Sequence, residues 1–139
     1  MMYTSYYGLV DTLKEYKIKM VCISFTKPSW LPWIDEIGIL APPPNLIYES
    51  SILKMRKEYI AHLENVGVDE IKYQLAMRGR KNFALLCYEK YSDIVSGNKF
   101  CHRRLFASWY NQKTGIEIPE FDVEKIKSIR RAENLAFDF

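Results

Sequence analysis

Apolar residues recur along the chain in two patterns, one typical of buried strands and one typical of amphipathic helices. The strand-like runs are MYTSYY at residues 2–7, KMVCISF at residues 19–25 and NFALLCYE at residues 82–89. Between the first two runs, Leu9, Val10 and Leu13 fall at the spacing of a helix that crosses over between parallel strands. Strands that alternate with helices predict an α/β layer structure with a short, mostly parallel sheet.

Helical periodicity dominates the rest of the chain. The predicted helices run from about Tyr48 to Gly67, from Asp69 as N-cap to Gly79, from near Cys101 onward, and over residues 122–139 at the C-terminus. The prolines between residues 26 and 46 predict a long loop after the second strand. GIEIPEF at residues 115–121 predicts one further small strand.

Composition narrows the class of protein. A chain of 139 residues with 48% hydrophobic residues has the length of a single domain and can bury a core. Its net charge of +3 excludes a strongly polycationic coat for nucleic acid, so a nucleic-acid partner is not favoured, whereas a small anionic ligand is permitted. The N-terminal residues resemble neither a signal peptide nor a membrane span, so we expect a soluble, cytoplasmic protein without a membrane partner.

Cysteine usage predicts neither a disulfide framework nor a metal centre. The three cysteines are an odd number and form no CxxC pair, which favours a reducing cytoplasm. Zinc requires three or four ligands, and the available Cys87, Cys101 and His102 lack a characteristic spacing. We therefore expect no metal site and no cofactor.

The candidate site lies at the carboxyl ends of the predicted strands, where parallel sheets bind ligands. The segments at these strand ends are residues 5–8, 25–33 and 87–104. We expect the three segments to surround one common hollow, into which Glu89 and Arg103 both point.

Arg103 and Arg104 fall in the first turn of a predicted helix, where the helix dipole disfavours cations. A bound phosphate or carboxylate would compensate them, together with free backbone N–H groups and the neighbouring His102. The alternative is that one arginine pairs with Glu89 and the other faces solvent. Glu89 itself would orient a ribose hydroxyl, act as a general base or nucleophile, or hold an arginine in a salt bridge.

Cys101 is the second candidate for catalysis. A thiol at a helix N-terminus beside His102 and Arg103 is favoured as thiolate, which would make it a nucleophile. The alternative is that Cys101 is a small residue that lets the helix pack closely on the sheet. Cys87, inside the strand, is predicted to belong to the core.

Aromatic, hydroxyl and basic residues follow the other two strands, and together they suit a nucleobase with its sugar and phosphates. The predicted ligand contacts there are Tyr6, Tyr7, Ser24, Lys27 and Trp30, with Trp33 close by. The alternative for Trp30 or Trp33 is that it covers the core under the proline-rich loop.

LLCYE at residues 85–89 and CHRRLFASW at residues 101–109 resemble the strand and helix signature of the family catalogued as domain of unknown function 488. YTSYYG, MVCISFTKPSW, LAPPPNLI and KEYIAHL agree in order with a variant branch of that family. The resemblance spans about residues 3–120 and implies a small Rossmann-like three-layer fold without an established activity, with residues 121–139 as a C-terminal helical extension. Many relatives have Asp-Val-Arg where this chain has Cys22, Ile23 and Ser24, so no role of those charged residues carries over.

These features predict a protein that binds a nucleotide-type ligand, bearing phosphate and ribose, at the strand ends. Glu89 and Cys101 are the candidates for hydrolysing that ligand or its glycosidic bond. The alternatives are a non-catalytic protein that sequesters such a ligand and a protein-interaction module, for example a phage or mobile-element factor acting on host defence signalling. In the last case the aromatic tail LAFDF would dock on a partner or on a second copy, as in a homo-oligomer. Whether the protein is an enzyme stays open at this point.

Overall fold

A computed structural model describes residues 1–49, 51–79, 81–89 and 101–137. The strands are β1 (Met2–Tyr6), β2 (Lys19–Cys22), β3 (Asp35–Glu36) and β4 (Phe83–Cys87). The helices are α1 (Val10–Glu15), α2 (Ile52–Val66), α3 (Val68–Ala76), α4 (His102–Thr114) and α5 (Val123–Phe137). No helix among these described residues combines the length and the apolar character that crossing a membrane requires.

The four strands form one sheet in the order β1-β4-β2-β3, and every pairing is parallel. All five residues of β4 are buried, because this strand has a neighbour on each side and helices over both faces. The register places Tyr6 beside Cys87, and Cys22 beside Leu86, so three strands end at a common edge. The predicted α/β class with a small parallel sheet is confirmed.

Alternate side chains of β4 belong to two hydrophobic clusters. Phe83 and Leu85 pack with buried residues of α2, α3 and α4, whereas Ala84 and Leu86 pack with those of α1 and with Phe121. Because successive side chains of a strand point to opposite faces, the two clusters lie on the two sides of the sheet. The fold therefore has three layers.

Several boundaries differ from the predictions, among them the start of α2 at Ile52 instead of about Tyr48, and local backbone geometry explains two of these differences. β2 ends at Cys22 instead of Phe25, since the chain bends at Ser24, whose hydroxyl bonds the carbonyl of Thr26. α3 begins directly after Gly67, which has a φ of 91°, a conformation that glycine adopts without steric cost. The predicted N-cap of that helix, Asp69, therefore lies inside its first turn.

Two strand predictions also change. β3 lies in the segment that the prolines predicted to be a loop, and it is only two residues long. GIEIPEF forms no strand and contributes one parallel bridge, between Thr4 and Glu120.

The C-terminal extension belongs to the core at its first residue. Phe121 is buried, and its ring centroid lies 5.5 Å from that of Tyr3 and 6.0 Å from that of Tyr16. Its backbone N–H donates to the carbonyl of Thr4 at 2.8 Å. The packed core thus continues past residue 120, where the family resemblance ends.

Candidate functional site

A cavity of about 280 Å³ lies at the carboxyl edge of the sheet, where β2 and β4 end. Its walls are formed by Ser24, Phe25, Thr26, Pro42, Leu46, Met55, Cys87, Tyr88, Glu89 and His102. Three of the predicted site residues, Ser24, Glu89 and His102, are therefore brought together. We call this space the β2–β4 cavity.

Ser24 is the centre of a buried hydrogen-bond network under this cavity. Its hydroxyl donates to the carbonyl of Thr26 at 2.7 Å, so the Tyr7 hydroxyl, 2.6 Å away, must be the donor to Ser24. Burial raises the pKa of Tyr7 well above its usual range, which keeps the phenol protonated. Tyr7, predicted as a ligand contact, is not part of the cavity wall and instead supports Ser24.

His102 is the first residue of α4 and is almost completely buried. Its Nε2 faces the carbonyl of Ile23, which can only accept, so Nε2 carries the proton and Nδ1 the lone pair. Burial lowers the pKa of His102 to about 4, and the adjacent Arg103 charge acts in the same direction. His102 is therefore neutral at pH 7 and offers no positive charge to an anionic ligand.

Glu89 follows β4 by two residues, and its half-buried side chain lines the β2–β4 cavity. Its backbone carbonyl is held by Arg103, but no described residue donates to its carboxylate or forms an ion pair with it. A carboxylate in this position is available to accept hydrogen bonds from a ligand.

Arg103 is fully buried, with an exposed fraction of 0%. Its Nε and Nη2 donate to the Glu120 carboxylate at 2.8 and 3.0 Å, and its Nη1 donates to the backbone carbonyl of Glu89 at 2.6 Å. The expectation that Arg103 holds a ligand phosphate is thus corrected, because all three of its nitrogens are bonded within the protein. The anion that compensates this cation is Glu120, and not the Glu89 side chain or a ligand.

Cys87 and Cys101 are joined by a disulfide that ties the end of β4 to the N-cap of α4. This corrects the expectation of unpaired thiols, which failed because an odd count leaves room for one bond beside the free, buried Cys22. While the bond is intact, Cys101 has no thiolate with which to act as a catalytic nucleophile. Nη1 of Arg103 donates to both sulfurs, at 2.8 Å to Cys87 and 3.3 Å to Cys101.

Arg104 and Tyr6 lie at a second cavity, of about 500 Å³, which also includes Glu120 and residues at the start of α5. Nη1 of Arg104 donates at 2.8 Å to both the Thr4 hydroxyl and the carbonyl of Ile118. Arg103 bonds Glu120 of this cavity and Glu89 of the β2–β4 cavity. The single hollow that the sequence predicted is therefore two cavities, with the Arg103 guanidinium bonded to both walls.

Lys27 and Trp30 line neither of these two cavities. The ammonium of Lys27 lies 3.9 Å from the Glu36 carboxylate. The exposed fractions of Trp30 and Trp33 are 56% and 65%, so neither covers the core as the alternative proposed. The predicted contacts of Lys27 and Trp30 with a ligand in the β2–β4 cavity therefore have no support from their positions.

Cys87, Glu89 and Cys101 are ligand types for a metal ion, and their ligand atoms all lie within 4.8 Å of one another. Sulfur binds metals as thiolate, whereas these two sulfurs are bonded to each other. The Arg103 guanidinium, 2.8 Å from the Cys87 sulfur, also repels a cation at this place. The oxidised site is therefore not arranged to hold a metal ion.

Two residues at or beside the cavity, Tyr88 and Glu120, were not predicted from the sequence. Tyr88 lines the β2–β4 cavity, bonds the Thr26 carbonyl through its hydroxyl at 3.0 Å, and packs against Tyr7 with ring centroids 4.8 Å apart. Its place beside Glu89 at the strand end was a usable signal. Glu120 gave no such signal, because its pairing with Arg103 depends on how the segment after α4 returns to β1.

The two motifs that carry the family resemblance meet in the structure. LLCYE runs from β4 into the wall of the β2–β4 cavity, and CHRR begins α4. The disulfide and Arg103 join these two segments. Membership of the family catalogued as domain of unknown function 488 stays a prediction, because comparison with protein-family models, curated proteins and solved structures finds no match to this chain.

Proposed function

We propose that the protein binds a nucleotide-type ligand and that the nucleoside part occupies the β2–β4 cavity. The observation that carries this proposal is the Glu89 carboxylate, which faces the cavity without a partner among the described residues. A carboxylate at the end of a parallel strand can accept from two ribose hydroxyls, as the acidic residue of dinucleotide-binding folds does. A cavity of about 280 Å³ suits a ligand of nucleoside size better than a dinucleotide.

The remaining walls suit the flat, largely apolar face of a base. Phe25 and Tyr88 each have an exposed fraction of 49%, and Leu46 and Met55 add aliphatic surface. Base stacking on an aromatic ring contributes about 1–3 kcal/mol. Exposed rings in the wall of the cavity are therefore consistent with a ligand that covers them.

We expect the phosphates to lie outside the centre of the cavity, because the cavity offers them no positive charge among the described residues. Among the described lining residues, Glu89 carries the one formal charge at pH 7, since His102 is neutral. α4, a helix of 13 residues, begins at the cavity wall, and the side chain of its N-cap residue, Cys101, makes no capping hydrogen bond. The first N–H groups of a helix favour an anion, so we expect the phosphate at the start of α4 and the sugar at Glu89.

The same arrangement allows either plain binding or hydrolysis. In hydrolysis of the glycosidic bond, the Glu89 carboxylate would stabilise positive charge on the sugar carbon or bond to it before water releases the sugar. In plain binding, the same carboxylate only holds the hydroxyls. The two functions differ in whether a free base appears.

Glu89→Gln tests this proposal. We expect ribonucleotides to raise the thermal unfolding temperature of the wild-type protein, and the variant to bind them at least about tenfold more weakly, because hydrogen bonds to a charged group contribute about 1.5–3 kcal/mol. The 2′-deoxy analogues should bind the wild type more weakly as well, since they lack one donor. Chromatography of the same samples shows whether a base is released.

Glu36→Gln is the matched control, because Glu36 is an exposed carboxylate at the same edge of the sheet but outside the cavity. It should bind as the wild type does. Release of base by the wild type and not by Glu89→Gln would identify a hydrolase, and a thermal shift without product would identify a binding protein. Equal affinity of the wild type and Glu89→Gln, or no response to any nucleotide, would contradict the proposal.

A further inference from the structure

The Cys87–Cys101 disulfide lies in an unusual electrostatic setting for a structural cross-link. Its two sulfurs share the Nη1 group of the fully buried Arg103, at 2.8 and 3.3 Å. A carboxylate oxygen of Glu89 lies within 4.8 Å of both sulfurs. Cys87 also contributes to the wall of the β2–β4 cavity, so a small molecule in that cavity lies next to this residue.

The Arg103 guanidinium interacts more favourably with the reduced cysteines than with the disulfide. A disulfide sulfur is neutral and only a weak acceptor, whereas a thiolate forms a strong, charge-assisted hydrogen bond with arginine. Cys101 is in addition the N-cap of α4, where free N–H groups and the helix dipole favour negative charge. The protein thus has two fixed sources of positive potential at a sulfur that carries no charge while it is oxidised.

We propose that Cys87 and Cys101 form a redox-active pair that exchanges with low-molecular-weight thiols and disulfides, with Cys101 as the thiolate of the reduced form. Stabilising the reduced form makes a disulfide easier to reduce. The pair therefore passes electrons to and from small thiols instead of serving as a permanent cross-link. This activity is separate from the binding of a nucleotide-type ligand and does not depend on it.

The atoms and electrons of the thiol–disulfide exchange can be followed with a small dithiol as the reductant. One of its thiolates attacks the Cys87 sulfur from the cavity, the bond between the cysteines breaks, and Cys101 takes the electron pair as a thiolate beside Arg103. The second thiol of the reductant, or the thiol of a second glutathione molecule, loses its proton and attacks the reductant sulfur of the mixed disulfide, which releases Cys87. The Glu89 carboxylate, which lies within 4.8 Å of the Cys87 sulfur, can relay that proton to Cys87 through one bridging water. The reductant leaves as a disulfide, two electrons have moved to the protein, and one proton is released to solvent.

The burial of the pair sets the class of substrate. Cys87 and Cys101 have exposed fractions of 1% and 3%, and of the two described cavities the β2–β4 cavity is the one from which a molecule approaches the bond. A folded protein thiol is too large to do so. The partners are therefore dithiothreitol-sized dithiols and thiol peptides of the size of glutathione.

Titration of the native protein with reduced and oxidised glutathione tests the proposal. After each equilibration the sample is quenched in acid and denatured, its free thiols are alkylated, and the number of alkyl groups is measured by mass spectrometry. We expect Cys87 and Cys101 to gain alkyl groups together in excess reduced glutathione while the protein is still folded, with Cys22 as a constant internal reference. Structural disulfides resist the glutathione pool, so a pair that stays oxidised until denaturant is added would overturn the proposal.

A pair of matched variants tests the role of Cys101. Cys22→Ala with Cys87→Ser leaves Cys101 as the one thiol of the chain, and Cys22→Ala with Cys101→Ser leaves Cys87. An ordinary thiol loses reactivity towards iodoacetamide about tenfold for each pH unit below about 8.5. We expect Cys101 to keep its rate over at least a further pH unit and Cys87 to lose reactivity at a higher pH. Ordinary behaviour of Cys101, or the reverse order of the two thiols, would overturn the assignment, and neither variant alters Arg103.

Discussion

Replacement of Glu120 by alanine is expected to lower the free energy of unfolding by about 3–5 kcal/mol, because it leaves a buried cation without its counter-ion. Arg103 is fully buried, and its Nε and Nη2 donate to the two oxygens of the Glu120 carboxylate at 2.8 and 3.0 Å. Among the described residues, removing that carboxylate leaves only neutral acceptors beside the guanidinium, namely the Glu89 carbonyl and the two sulfurs. Urea denaturation at pH 7, monitored by tryptophan fluorescence, measures this change in the free energy of unfolding.

Glu117→Ala is the control for this substitution, since Glu117 lies in the same segment but is exposed. It should change the stability by no more than about 0.5 kcal/mol. Joint replacement of Arg103 and Glu120 by methionine should cost less than the sum of the two single replacements, because it removes the isolated charge that each single variant leaves. A loss below about 1 kcal/mol for Glu120→Ala would contradict the view that this pair is buried and coupled.

The layered fold could be predicted because its strands are short, apolar and bounded by helices with clear periodicity. FALLC is apolar throughout, as the central strand of a parallel sheet must be, and the structure places it between β1 and β2. β3 could not be predicted, because a strand of two residues, Asp35 and Glu36, has no periodicity of its own. The GIEIPEF segment has strand-like composition, but it meets β1 at a single bridge and so forms no strand.

The position of a cavity at the strand ends could be predicted, but the partners of the cations beside it could not. The sequence places Glu89 and His102 at the strand edge, because the carboxyl ends of parallel strands meet there. It also shows that a cation such as Arg103 at a helix N-terminus needs an anion. Which anion it finds depends on tertiary structure: Glu120 follows Arg103 by 17 residues and is held beside β1 by the bridge to Thr4 and by the packing of Phe121 on Tyr3.

Arg103 connects the three segments that define the site. It bonds the chain after β4 through the carbonyl of Glu89, the start of α4 through the sulfur of Cys101, and the segment before α5 through Glu120. A change in the charge of the sulfurs therefore acts on the same guanidinium that positions the backbone of Glu89. If both the proposed redox activity and the proposed ligand site are correct, reduction of the disulfide should alter ligand affinity, since it places a negative charge near the Glu89 carboxylate.

The pH dependence of stability is expected to show a second large effect, which comes from His102. Its pKa is about 4 in the folded protein against 6.5 for the ordinary group, because burial disfavours the charged ring. Between these values the unfolded chain binds a proton that the native protein does not, so stability falls as the pH falls. The stabilisation that comes from the low pKa of His102 is fully present above pH 6.5. About 3 kcal/mol of the free energy of unfolding is lost when the pH reaches 4.

Two histidine variants isolate this contribution, since the chain has only two histidines. His102→Gln keeps a donor for the Ile23 carbonyl but cannot titrate, so its stability should fall less steeply than that of the wild type between pH 6.5 and pH 4. His62→Gln is the control, because His62 is half buried on α2, where its Nε2 donates to the carbonyl of Ile39 at 2.7 Å. This variant keeps His102 and should therefore still show the steep loss of stability between pH 6.5 and pH 4. A constant difference in the free energy of unfolding between the wild type and His102→Gln across this range would contradict the prediction. It would mean that water reaches the His102 ring in the folded protein through the β2–β4 cavity.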